Sequence, residues 1–144
     1  MNDFLTLDNQ LCFALYEVSS EFTKLYSKAL QSFGLTYPQY LVLLALWEKD
    51  GITAKQLGEK LNLGTGTLTP MIKRMSENGW VEKVRSSADE RNVFIYLQEK
   101  AVTEKTKITN KIENEVTSCK ISVDEYKQLM MNLRNLQMKL RNQT

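Results

Sequence analysis

The sequence predicts a mainly α-helical fold with one small β-hairpin, and three observations predict it. Apolar residues recur at steps of three and four over most of the chain, the mark of amphipathic helices. One stretch instead reads as two short strands, Trp80-Val-Glu-Lys-Val-Arg85 and Asn92-Val-Phe-Ile-Tyr-Leu97, around the polar turn Ser86-Ser-Ala-Asp-Glu-Arg91. A helix rich in Thr, Lys and Arg runs directly into that hairpin and stops at Gly79. Helix, turn, helix and hairpin in that order are the layout of a winged helix-turn-helix. That geometry sets a helix in the DNA major groove and an arm beside it. DNA binding is therefore favoured over catalysis.

The elements follow in order. Leu11, Leu15, Val18, Phe22, Leu25, Ala29 and Phe33 mark one face of a long helix that ends at Gly34. Thr36-Tyr-Pro38 restarts a helix with proline in its first turn. Residues 40–47 are apolar nearly all round, so this helix should be central. Asp50-Gly51 breaks it, and Thr53-Ala-Lys-Gln56 is a capping-box pattern for a short helix carrying Leu57 and Leu61. Asn62-Leu-Gly64 is the turn into the next helix, for which Thr65 could serve as N-cap. On the hairpin, Val93, Ile95 and Leu97 should alternate inward. A helix marked by Ile108, Ile112 and Val116 follows. Ser122-Val-Asp-Glu125 is a second capping box, opening a last helix striped by Tyr126, Leu129, Met130, Leu133, Leu136 and Leu140.

The 144 residues suit one domain, with dimerisation helices at about 5–33 and 103–141 and a winged lobe at about 38–98. The first and last helices carry more apolar stripe than a small lobe needs. Their expected partner is a second copy of the chain, since two-fold proteins read two half-sites. Packing within one chain is the plainer alternative.

Net charge is only +2. Between Lys73 and Arg91 five basic residues (Lys73, Arg74, Lys83, Arg85, Arg91) face four acidic ones (Glu77, Glu82, Asp89, Glu90). The DNA inference thus rests on geometry, not on a basic patch. The chain has no His, which removes histidine general bases, Ser-His triads and ordinary His metal sites. Its two Cys lie far apart, so there is no CxxC redox or zinc motif. No metal or other cofactor is expected. Without a signal peptide or membrane-length apolar run, a cytoplasmic location is expected. There a standing disulfide is disfavoured and a transient one is allowed.

Thr65, Thr67 and Thr69 open the recognition helix, where short hydroxyls and free backbone N–H groups reach phosphates or base edges. Lys73 and Arg74, one to two turns on, suit phosphate or guanine. Solvated cations are the plainer alternative. Asp89 repels phosphate and is expected to hold the wing by pairing with Arg85 or Arg91.

Four segments carry a family resemblance: Leu7-Asp-Asn-Gln-Leu-Cys-Phe-Ala-Leu-Tyr16, Leu35-Thr-Tyr-Pro-Gln-Tyr-Leu41, Gly66-Thr-Leu-Thr-Pro-Met-Ile-Lys-Arg74 and Asp89-Glu-Arg91. With them the chain resembles the MarR family of dimeric winged-helix regulators, and within it the organic-hydroperoxide-sensing OhrR-type branch. The first two segments are specific to that branch. The chain departs from its pattern at Gly64-Thr65, where an Asp-Ser pair is common, which bears on base preference and not on binding mode.

The resemblance implies a repressor that leaves a pseudo-palindromic double-stranded operator when an N-terminal cysteine is oxidised. It assigns that role to Cys12, the thiolate-binding phenols to Tyr26 and Tyr37, and minor-groove contact to Arg91. Without it, Cys12 reads as a small buried hydrophobe. Along one unbroken helix, Cys12 and Tyr26 are roughly 21 Å apart. The phenol would then come from the other subunit. Tyr16, one turn from Cys12 on the same face, could line the pocket or merely pack. Cys119 resembles the second cysteine of two-cysteine members, which resolves a sulfenic acid on the partner chain. It could also be incidental beside a capping turn, and Lys120 could assist its thiolate. A regulator released by a small phenolic ligand, a thiol-based global regulator and, more remotely, a thiol peroxidase are the competing functions.

Overall fold

The computed structural model describes residues 2–89 and 91–143, so the wing-tip Glu90 lies outside the described residues. Two short 3-10 turns precede helix α1 (Leu11–Leu30), which is unbroken over 20 residues. A further 3-10 turn at Gln31–Phe33 carries the chain to Gly34, whose φ of 71° lies in the left-handed region that a Cβ disfavours. Helix α2 (Tyr37–Glu48) opens on a complete capping box. Gln39 N donates to Thr36 Oγ1 and Thr36 N to the Gln39 side chain. Pro38 sits in the first turn, where its missing N–H is not needed.

Strand β1 (Ile52–Thr53) leads straight into α3 (Ala54–Leu61), again through a complete capping box of Thr53 and Gln56. Helix α4 (Thr65–Glu77) feeds β2 (Val81–Arg85) and β3 (Val93–Leu97). The sheet is antiparallel in the order β1-β3-β2, with Ile52 opposite Ile95 and Val81 opposite Leu97. The hairpin is thus the larger part of a three-stranded sheet. Asp50 ties its far edge, one carboxylate oxygen accepting from both Gly51 N at 3.0 Å and Leu97 N at 2.8 Å.

After the hairpin the sequence suggests one helix, but the structure has two, α5 (Glu99–Thr103) and α6 (Lys105–Ser118). Trp47 Nε1 donates to Ala101 O at 3.1 Å, and buried Ala101 docks α5 against α2. Helix α7 (Val123–Arg141) closes the chain. At its start Ser122 Oγ accepts from Glu125 N, so the hydroxyl half of the expected capping box forms.

The core gathers around α2, whose Tyr40, Val42, Leu43, Ala45 and Leu46 are all buried. Ala29 and Leu30 of α1 and Ile108 and Ile112 of α6 join it from one end, and Trp80, Val81 and Ile95 from the sheet. Each large buried side chain contributes about 1.5–3 kcal/mol by leaving water. In α7 none of the described residues is buried, and Tyr126, Leu129, Met130, Met131, Leu133 and Leu140 remain exposed. Exposed Leu11, Tyr16, Val18 and Phe22 give α1 a similar uncovered face.

Candidate DNA-reading face and thiol site

The turn between α3 and α4 is built by close approach. A Cβ on Gly58 would lie 2.9 Å from the Leu63 carbonyl oxygen, so a larger side chain would push the two helices apart. Asn62 adopts the left-handed region at φ 56°, which a short polar side chain tolerates. The N-cap of α4 is Gly64, not Thr65, and no side chain caps that end. Gly64 in extended conformation ends the turn one residue earlier than the hydroxyl suggests. Thr65 becomes the first helical residue, and the first N–H groups of α4 have no side-chain acceptor.

Leu68, Ile72 and Met75 bury one face of α4, leaving Thr65, Thr67, Thr69, Lys73 and Arg74 exposed on the others. Pro70 cannot donate to the Gly66 carbonyl, but both residues are exposed and water can take that place. Helix α4, α3 and the sheet enclose an open groove of about 810 Å³ with Thr65, Thr69, Lys83 and Arg85 on its walls and Leu68 and Ile95 below.

The wing tip is ordered by its own side chains. Ser86 Oγ accepts from Ala88 N and Asp89 N, and Ser86 N donates to Asn92 O. Arg91 closes on Asp89 twice, Nε on Oδ1 at 3.1 Å and Nη2 on Oδ2 at 3.2 Å, while its backbone N also donates to Oδ1. Of the two arginines expected as partner, Arg91 is the one found. These bonds hold the Asp89 carboxyl below the usual carboxylate range. They also fix the direction of a guanidinium whose side chain stays 90% exposed.

Cys12 is the second residue of α1 and is exposed. The Phe13 and Tyr16 rings stack with centroids 6.5 Å apart in the same turns. Tyr26 lies fourteen positions along the same unbroken helix, roughly 21 Å away. Tyr26 instead meets Tyr37, at 5.7 Å between centroids. The structure therefore brings the two expected phenols together and keeps Cys12 and Tyr16 at the other end of α1.

Two further tyrosines belong to this cluster. Tyr40 is 5.9 Å from Tyr26, one turn beyond Tyr37. Tyr126, from α7, is close enough to act on Tyr26 and Tyr40 electrostatically. Burial first, then Tyr126, Tyr40 and Tyr37, push the Tyr26 phenol up to about 12, and Tyr40 is raised for similar reasons. Both are hydroxyl donors throughout neutral pH. The i, i+3 spacing of Tyr37 and Tyr40 could have signalled the first, but no local pattern marks Tyr126.

Cys119 is the C-cap of α6, exposed, with its thiol 3.6 Å from the Glu115 carbonyl oxygen. Lys120 follows in the left-handed region at φ 61° and turns the chain toward α7. Neither cysteine forms a disulfide within the chain.

Residues 24–108 match the sequence model of a family described as transcriptional regulator SarA/Rot. The organic hydroperoxide resistance transcriptional regulator of Bacillus subtilis (strain 168) is 45% identical over 93% of this chain and 91% of its own. Among solved structures, reduced AbfR bound to DNA superposes with a TM-score of 0.84 at 38% identity, covering 94% of this chain and 93% of that one. Disulfide-formed AbfR gives 0.69 at 38% identity over 94% and 90% of the two chains. AbfR is a protein of Staphylococcus epidermidis. The matched family and the Bacillus subtilis relative are transcriptional regulators, not enzymes. Among the described residues no helix is long and apolar enough to cross a membrane.

Proposed function

The chain belongs to the SarA/Rot family of transcriptional regulators, MarR-like winged-helix proteins, and from that premise we propose a redox-sensing, DNA-binding repressor. It leaves its operator when an organic hydroperoxide oxidises Cys12. It acts in the cytoplasm, as a homodimer on a pseudo-palindromic double-stranded site.

The observation that carries this reading is the unbroken α1 with Cys12 at one end and the Tyr26–Tyr37 pair at the other. Fourteen helical positions return to within about 40° of the same face. Cys12 and Tyr26 thus share a face, part of which is uncovered at Leu11, Tyr16 and Phe22. Two copies of α1 packed antiparallel across a two-fold axis would set each Cys12 against the partner's phenols. The dimer would then be both the DNA-binding unit and the thiolate pocket. The uncovered stripe of α7 supports the same assembly.

In the pocket, the Tyr26 and Tyr37 hydroxyls donate to the Cys12 thiolate, with Tyr16 lining its mouth. The thiolate attacks the terminal oxygen of ROOH. The O–O bond breaks, an S–O bond forms, and the alkoxide leaves as alcohol after taking up a proton. The Cys12 sulfenic acid then reacts with the Cys119 thiol of the partner subunit, forming the disulfide and releasing water. A disulfide form is known in AbfR. Tying α1 to the end of the partner's α6 would move the two winged lobes out of register with successive major grooves.

On the DNA, α4 presents Thr65, Thr67, Thr69, Lys73 and Arg74. The wing presents Arg85 and Arg91, with Asp89 aiming the latter. The test is operator binding with and without cumene hydroperoxide, for wild type and Cys12→Ser. The variant should bind like reduced wild type and ignore the peroxide. Its release at concentrations that release wild type would remove the sensor assignment.

A further inference from the structure

We propose that Lys55, Lys83 and Arg85 form a phosphate track across the groove between α3, α4 and the wing, so that one strand of DNA backbone crosses that groove. The inference rests on the DNA-binding reading above and adds to it the path of the backbone and two residues that reading does not use, Lys55 and Lys83.

The strand register places the cations. Val81, Lys83 and Arg85 alternate onto one face of β2, opposite Leu97, Ile95 and Val93 of β3. Val81 and Ile95 on this face are fully buried, so it is the face that the helices cover. Alternation alone calls for apolar residues at positions 83 and 85. Two long cations stand there instead, and both line the groove. Their aliphatic stems can lie along the apolar face while the charged ends reach the open rim. The core gives way to a charged groove at this point, and stability alone does not call for that.

Lys55 reaches the same groove from the opposite wall. It stands in the first turn of α3, where a cation opposes the helix dipole. Neither α3 nor α4 has an acid in its first turn, whereas α7 opens with Asp124 and Glu125. Glu59, one turn beyond Lys55, is the acid lining this groove among the described residues, and it sets the end that phosphates avoid. Three cations from two elements, spread around an open rim, suit a row of charges better than a single small anion. A DNA backbone is such a row, and Thr65 on the adjoining wall belongs to the helix expected to enter the major groove.

The test measures affinity for two short duplexes, one selected from a random pool by wild-type protein and one of scrambled sequence, between about 50 and 200 mM salt. Each of Lys55→Gln and Lys83→Gln removes two phosphate contacts per bound dimer and should flatten the slope of log K against log salt by about 1.8, and the pair by about 3.6. The loss should be the same for both duplexes, because phosphate contacts carry no sequence information. Glu59→Gln should tighten binding. Lys111→Gln, on α6 outside the groove, is the control. A double variant with the wild-type slope, or a Lys111→Gln loss of equal size, overturns the track while leaving the repressor reading intact. A wild type that enriches no duplex from the random pool overturns both.

Discussion

Tyr26 and Tyr37 meet edge to face, with ring centroids 5.7 Å apart and planes at 83°, locking the later part of α1 to the start of α2. The contact fixes two phenols where a sensing pocket would need donors. Burial and the surrounding phenols keep Tyr26 protonated up to about pH 12.

Replacing either tyrosine by Phe keeps the ring contact and deletes one hydroxyl. A hydrogen bond to an anion is worth about 1.5–3 kcal/mol. Oxidation of Cys12 by organic hydroperoxide should therefore slow by about tenfold or more in Tyr26→Phe or Tyr37→Phe, with secondary structure intact. Single-turnover oxidation followed against pH is the measurement. Profiles identical to wild type would discard both donors.

The same cluster gives an alkaline limit. The folded Tyr26 phenol ionises later than an unfolded one, so its contribution to stability is complete below pH 10 and is lost as pH rises through about 12. Spectrophotometric titration of the phenols should show late ionisation, with Tyr40 also raised, that loses one phenol in Tyr26→Phe. A variant that titrates like wild type would place the late phenol elsewhere.

At the wing, charge and order can be separated. Arg91→Ala removes one cation per protomer and should lower the salt slope of operator binding by about 1.8 for the dimer if each Arg91 neutralises one phosphate. Asp89→Asn keeps the cation but loses the paired contact that aims it, so affinity should fall with the slope unchanged. The Asp89 carboxyl is depressed by its bonds to Arg91. The wing clamp is thus complete above the ordinary carboxylate pKa and is lost as pH falls through the lower, folded value. Equal slopes for wild type and Arg91→Ala would mean that the wing tip is not engaged.

Much of this architecture is legible in local sequence because local chemistry decides it. Thr36–Gln39 and Thr53–Gln56 cap helices through their own hydrogen bonds, and the apolar run of α2 has nowhere to go but the core. The Asp89–Arg91 pairing is equally local, at two residues' separation. What the sequence hides is non-local or shorter than a period. Strand β1 has only two residues, too few to alternate, and exists because Ile52 pairs with Ile95. The break between α5 and α6 follows from docking Ala101 against Trp47. Tyr126 joins the phenol cluster through tertiary proximity to Tyr26 and Tyr40, eighty residues and more away in sequence. Gly64 takes the N-cap place that Thr65 would fill on composition, because the turn after Asn62 sets the backbone before any side chain can.

The helix-turn-helix corner should be intolerant of a single methyl group. Gly58→Ala would put Cβ 2.9 Å from the Leu63 carbonyl oxygen, and backbone is slow to yield. A destabilisation of about 1–3 kcal/mol is expected, the range for overpacking. Urea unfolding at a fixed protomer concentration measures it. An unchanged midpoint would mean that the turn relaxes freely.

Cys119 decides the chemical end point. It caps α6 in an exposed position, and Lys120 in the left-handed region holds the turn that follows it. If Cys119 resolves the Cys12 sulfenic acid of the partner, oxidised protein should run as a covalent dimer on non-reducing gels. Mass spectrometry should then find the peptide pair containing Cys12 and Cys119. Cys119→Ser should stop at sulfenic acid, open to small thiols or to over-oxidation. The two proteins should also differ in reversibility, since a disulfide is restored by thiol exchange and a sulfonic acid is not. If the sensing pocket spans the dimer, the linkage should join Cys12 of one chain to Cys119 of the other. Intrachain linkage would count against a pocket shared between subunits. If wild type and Cys119→Ser give the same oxidised species and the same rate of DNA release, Cys119 is incidental and Cys12 alone carries the switch.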